Sequence, residues 1–148
     1  MTRRPRPRLC DEAGSVSVEF AAAAGPVLLV TIAVMIAAGR IMLADNVVTD
    51  AAIAAARTAS LARTAIQAHQ TASATARRVL TEQQLHCRSI TVSVDTSSFT
   101  IPPGQPATVS VTVTCVAELT DLALPGLPGN RVLHSSFTSP LDQFRGRT

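Results

Sequence analysis

The sequence predicts an α+β protein: a long N-terminal helix, membrane-spanning and then amphipathic, followed by a small antiparallel β-rich head. Three observations carry this. Residues 20–39 hold no charged side chain, and twenty such residues are the length a helix needs to cross a bilayer. Residues 51–76 are dominated by alanine, the best helix former. Beyond Leu85 the pattern changes to alternation, in residues 89–95 and again in 107–116, the period of half-buried strands. The expected organisation is a cytoplasmic leader over 1–14, helix over 15–84 with the span at 20–39, and an extracytoplasmic head over 85–148.

Composition removes several function classes. There is no Trp or Tyr, and aromatics make up 3% of the 148 residues. Every basic residue is arginine, and Arg3, Arg4, Arg6 and Arg8 lie together at the start. The formal net charge is only +3. That leader therefore supplies most of the basic character, which reads as a targeting signal rather than as nucleic-acid binding. No basic patch with interleaved aromatics offers bases a stacking platform.

The leader is rich in Pro and Arg and is expected to be unstructured. Arg3-Arg4 is followed by Pro5, Arg6 and Pro7, where a twin-arginine export signal would carry apolar residues. The four leader arginines outnumber Arg40 and Arg57 beyond the span, so the positive-inside rule keeps the N-terminus cytoplasmic and exports the remainder. The span is modestly hydrophobic: eight strong apolar residues contribute roughly −2 to −5 kcal/mol before Gly25 and Pro26 are counted. Pro26 removes one helical hydrogen bond and is expected to kink or loosen the helix. The stretch from Ala21 to Gly25 offers a smooth surface for close helix packing.

Gly14, then Ser15-Val16-Ser17-Val18, then Glu19-Phe20 and the uncharged run resemble a prepilin leader. In such families a membrane aspartic peptidase cuts after the glycine and leaves the apolar segment on the mature chain. The resemblance implies cleavage between Gly14 and Ser15, with Glu19 as the fifth residue of the product. A carboxylate at the edge of a bilayer is costly unless paired. The free amine of a neighbouring processed subunit would neutralise it and fix the register of assembly. Two other readings stay open. Glu19 could be a snorkelling residue of an ordinary anchor. Alternatively, residues 27–36 could be the core of a secretory signal cut after Ala38, at Ala37-Ala38-Gly39, which would release a soluble binding domain.

The helix is expected to continue past Arg40. Val47, Ala51, Ala54, Thr58, Leu61 and Ala65 follow three- and four-residue steps along one stripe. Asp45, Arg57, Arg63, Arg77 and Arg78 are expected to be exposed. Unbroken from 15 to 84, the helix would be about 105 Å long, so a break is expected near residues 67–73, where small polar residues cluster. An alanine stripe buries little area, so this helix needs a partner helix or sheet.

Glu19-Phe20-Ala21, Pro26, Gly39-Arg40, Asn46 and the run from Asp50 to Arg57 resemble the TadE-like pseudopilins of the tight-adherence (Tad, or Flp) pilus and secretion system. The likeness covers roughly residues 14–60. It departs where Gly25-Pro26 follows alanines instead of leucines, and where Asp50 stands in place of asparagine. The ending from Ser139 to Arg145 resembles the proline–aspartate–aromatic–arginine close of many such proteins. The resemblance implies a pilin-like, single-pass subunit of the bacterial cytoplasmic membrane that is a prepilin peptidase substrate. It also implies other pilin-like subunits, Tad inner-membrane assembly proteins and membrane lipid as partners.

In the head, Ile90, Val92 and Val94 share one face of the first strand, and Val109, Val111, Val113 and Cys115 share one face of the second. Antiparallel pairing of Ile90 with Val113, Val92 with Val111 and Val94 with Val109 would leave Cys87 just outside the strand, diagonally beside Cys115. Cys10 lies in the leader, so an even pair remains in an oxidising compartment, and a Cys87–Cys115 disulfide is expected. It would close a loop of about 28 residues, worth roughly 2–4 kcal/mol. Residues 101–106 and 124–130 are turn-rich, and a third strand is expected at 131–137. Zinc is not expected, because His69, His86, His134 and the two cysteines match no ligand spacing. With no Gly-x-Ser-x-Gly elbow and no phosphate-binding loop, the chain reads as a non-enzyme without cofactor. Glu118 and Asp121 read as solvated.

Overall fold

A computed structural model describes residues 13–102, 104–118 and 129–142. Two helices precede a three-stranded sheet: α1 (Ala13–Ser60), α2 (Ala65–Glu82), β1 (Cys87–Asp95), β2 (Thr108–Glu118) and β3 (Asn130–Pro140), with a 3-10 turn at Ser97–Thr100. This is the α+β arrangement of an apolar N-terminal helix followed by a small antiparallel sheet. The leader residues 1–12, Asp121 and most of the 124–130 turn lie outside the described residues, as do residues 143–145 of the C-terminal motif. The chain divides into two compact units, residues 1–38 and 39–148.

In the first unit α1 remains helical through Pro26. Val27, Leu28, Leu29, Val30, Val34 and Met35 are all exposed. Thr31 donates its hydroxyl back to the Val27 carbonyl at 2.8 Å, so the span's own chain satisfies this polar group.

In the second unit the helices and the sheet share one core. Val48, Ala51, Ala52, Ala55, Ala56 and Ala59 of α1 join Ala68, Ala72, Ala76 and Leu80 of α2 and the inner face of β2 in a single cluster of buried side chains. The buried face of α1 therefore differs from the expected stripe. Val47, Ala54 and Thr58 are only half-buried, and Leu61 is 57% exposed. Ala51 of that stripe is buried, but the face otherwise lies one residue further along, because in an alanine-rich helix several stripes have nearly equal hydrophobicity. Arg57, Arg63, Arg77, Arg78 and Asp45 are exposed as expected.

The helical break falls at residues 61–64, earlier than 67–73. Thr64 caps α2, its hydroxyl accepting the Gln67 backbone N–H at 3.1 Å. The Gln67 side chain in turn accepts the Arg63 N–H at 3.2 Å. This is a capping box displaced by one residue, and Thr64-x-x-Gln67 is its sequence signature. The small polar residues at 67–73 sit inside α2, where Thr71 bonds back to the Gln67 carbonyl at 2.8 Å.

At its other end α2 closes with a Schellman turn. The Leu85 N–H reaches the Leu80 carbonyl at 3.0 Å, and the Gln84 N–H reaches Thr81 at 3.0 Å. Gln84 adopts φ +57°, a left-handed conformation that usually falls to glycine at this position.

The sheet has strand order β1-β2-β3. Its register differs from expectation by two residues: Ile90 opposes Cys115, Val92 opposes Val113 and Val94 opposes Val111. A shift of two keeps every side chain on its face, so alternation alone could not separate the two registers. Strand β3 is longer than 131–137 and pairs with β2 from Glu118↔Asn130 to Thr108↔Pro140. Val109, Val111, Val113, Cys115 and Ala117 are buried, whereas the opposite face is a hydroxyl ladder. On that face Thr112 donates to Ser136 at 3.0 Å, and Thr138 donates to Ser110 at 3.3 Å. After β1, the Ser97 backbone N–H donates to Asp95 Oδ1 at 3.0 Å. That bond, with one from the Ser97 side chain, holds the Asp95 carboxyl below its ordinary pKa. What this contributes to stability is present above the ordinary carboxylate range and is lost as pH falls through the lowered value.

Two substitutions test this packing. Ala55→Leu inserts bulk where exposure is 0% and is expected to cost about 1–3 kcal/mol in denaturant unfolding. Gln84→Gly relieves the left-handed side chain and is expected to stabilise by about 0.5–1 kcal/mol.

Candidate functional site

Two features carry functional weight: the exposed apolar helix of the first unit and the cross-linked sheet of the second. Among the described residues α1 is the one helix long and apolar enough to cross a membrane. Within the first unit its large apolar side chains are exposed around the helix rather than along one stripe, which is how a span meets lipid or neighbouring helices and not how a helix seats on a soluble core. A Cβ added at Gly25 or at Gly39 would meet nothing within 4 Å, so packing within this chain does not require either glycine. Gly14, Ser15 and Glu19 lie in the first turns of α1, and the side chain of Glu19 lies outside the described residues.

In the head, Cys87 and Cys115 form a disulfide with a Cα–Cα distance of 5.4 Å and a sequence separation of 28. Cys87 lies inside β1, not just outside it, and the reason is one of parity. Ile90 faces inward opposite Cys115, and a regular strand would turn Cys87, three residues earlier, to the outer face. A bulge between Cys87 and Ser89 inserts Arg88 and sets Cys87 opposite Ala117. Ala117 shares the inner face with Cys115, so the extra residue brings the two sulfurs to one side of the sheet. The alternation of the strand gave no sign of this bulge; the odd spacing of Cys87 from Ile90 was the available signal.

The histidines do not converge on this pair. His134 is exposed on the outer face, opposite Thr114, while Cys115 is buried on the inner face with its sulfur bonded to Cys87. His69 and His86 are exposed, and Glu118 is exposed at the end of β2.

The part of the chain that supplies the apolar run and the buried alanine face is also the part that resembles a known family. Residues 14–57 match the family model of TadE-like protein. The match begins at Gly14, crosses the whole apolar run and ends at Arg57, the segment on which the sequence motifs had pointed to this family. No curated protein and no solved structure gives a match. The TadE-like segment thus covers the span and most of the helical core, and the sheet lies beyond it.

The disulfide has a direct test. Reduction, or paired Cys87→Ser and Cys115→Ser substitution, is expected to lower the unfolding free energy of the head by about 2–4 kcal/mol, read from denaturant midpoints with and without reductant.

Proposed function

We propose that this chain is a minor pilin-like subunit of a Tad (Flp) type pilus or secretion machine. The observation that carries the reading is the TadE-like match over residues 14–57, which takes in a glycine–glutamate start and an apolar run long enough to cross a bilayer. In this reading a prepilin peptidase cuts between Gly14 and Ser15. The span at 20–39 holds the protein in the cytoplasmic membrane, N-terminus inside, and the disulfide-closed head stands outside. Glu19, five residues from the cut, pairs with the free amine of a neighbouring processed subunit, so its burial is tolerated only in correct register. Other pilin-like subunits and the inner-membrane assembly proteins of the system are the partners.

A second reading has its own support. The compact second unit begins at Gly39, where a secretory signal cut after Ala38 would release a soluble binding domain.

The N-terminus and intact mass of the protein from its native membrane, taken without reductant, separate these. Ser15 as first residue, with the mass lighter by the two hydrogens lost on Cys87–Cys115 oxidation, is the expected result. Gly39 as first residue would establish the secreted domain, and an uncut leader would leave a plain anchor. Glu19→Ala is expected to abolish co-isolation with pilus components while leaving membrane insertion intact; normal co-isolation would remove the pairing role.

A further inference from the structure

Arg40 is the first charged residue after the uncharged run. If that run spans the bilayer, as the proposed function requires, chain continuity puts Arg40 at the level of the lipid headgroups. Within the second unit Arg40 is not alone. Together with Leu43 and Val47 it lines a shallow groove closed on its other side by Gln83, Gln84 and Leu85. The end of α2 and the approach to β1 are thereby held beside the residues that leave the membrane.

Three further observations converge on this groove. Leu43, which lines the groove beside Arg40, is 65% exposed, and the core of the second unit does not use it. Gln84 holds a left-handed backbone at φ +57°, where glycine would be the unstrained choice, and it lines the groove. Strained non-glycine positions of this kind point from geometry toward function. The β1 bulge inserts Arg88, an exposed second cation three residues beyond Leu85. The nearest acid on α2, Glu82, is already engaged by Arg78 at 2.9 Å.

We propose that this groove seats the phosphodiester headgroup of an anionic phospholipid in the leaflet on the head's side of the membrane. The Arg40 guanidinium presents a planar fork of donors suited to phosphate oxygens. The Gln83 and Gln84 amides add neutral donors, and Leu43 lies against the glycerol and first acyl carbons. Arg88 adds long-range attraction to a negative surface. Docking of this kind would tie the head to the bilayer before assembly, so leaving the membrane would require the lipid contact to be broken.

The test uses the full chain reconstituted into vesicles of phosphatidylcholine alone or with phosphatidylglycerol added. Flotation with the vesicles reads the span, and amide hydrogen exchange reads the groove. The expected result is flotation in both, with exchange at residues 83–88 several-fold slower when phosphatidylglycerol is present and exchange at 108–116 unchanged. Arg40→Gln is expected to abolish the difference. Gln84→Gly, which relieves backbone strain, is expected to reduce it without unfolding the turn. Equal exchange in the two lipid compositions, or an unchanged difference in Arg40→Gln, would overturn the headgroup seat while leaving the span reading intact. A chain that does not float would overturn the span reading and the seat together.

Discussion

Close packing of alanine is the constraint on which the second unit depends. A buried methyl contributes only about 0.8 kcal/mol, whereas a buried valine or leucine side chain contributes roughly 1.5–3 kcal/mol. Val48, Ala51, Ala52, Ala55, Ala56 and Ala59 form a face of a, d and e type on α1, and Ala68, Ala72 and Ala76 form a narrower one on α2. Neither face could hold a helix to solvent-exposed polar partners. Both enter one cluster with Val109, Val111 and Val113, so the sheet supplies most of the branched side chains, beside Val48 and Leu80 of the helices. Small side chains in turn leave the helices little freedom to accept bulk.

The disulfide completes this arrangement at the end of the sheet where β1 begins. It joins two strands already paired in register, and a single inserted residue makes the geometry possible. The same end of the unit holds the Schellman turn of α2 and the groove beside Arg40. Polar and strained features are thus concentrated where the chain leaves its apolar run. The other end, with the capped turn at 61–64 and the 3-10 turn after Asp95, follows ordinary local rules of capping and side-chain-to-backbone bonding.

The first unit depends on a different balance. Among the described residues its large apolar side chains are exposed, and the Thr31 hydroxyl is satisfied internally by the Val27 carbonyl. A helix of this composition suits lipid and the packing of neighbouring helices. The TadE-like match runs across both environments, from Gly14 into the alanine face. One helix, α1, therefore supplies both the exposed apolar run and a large part of the packing in the second unit.

The sequence by itself determined the uncharged run, the alternation of the first two strands, the face that their inward valines take and the pairing of the two cysteines. Each of these follows from a period or a count that tertiary packing does not alter. Only the tertiary structure decided which stripe of α1 is buried, because alanines on neighbouring stripes are equivalent until the sheet chooses between them. It also decided the register, since the 12 residues between β1 and β2 form no tight turn to pin it and a two-residue shift conserves every face. The bulge at Arg88 belongs to the same class. An odd spacing between Cys87 and Ile90 has to be absorbed somewhere, and the position that absorbs it is the one that brings Cys87 to Cys115.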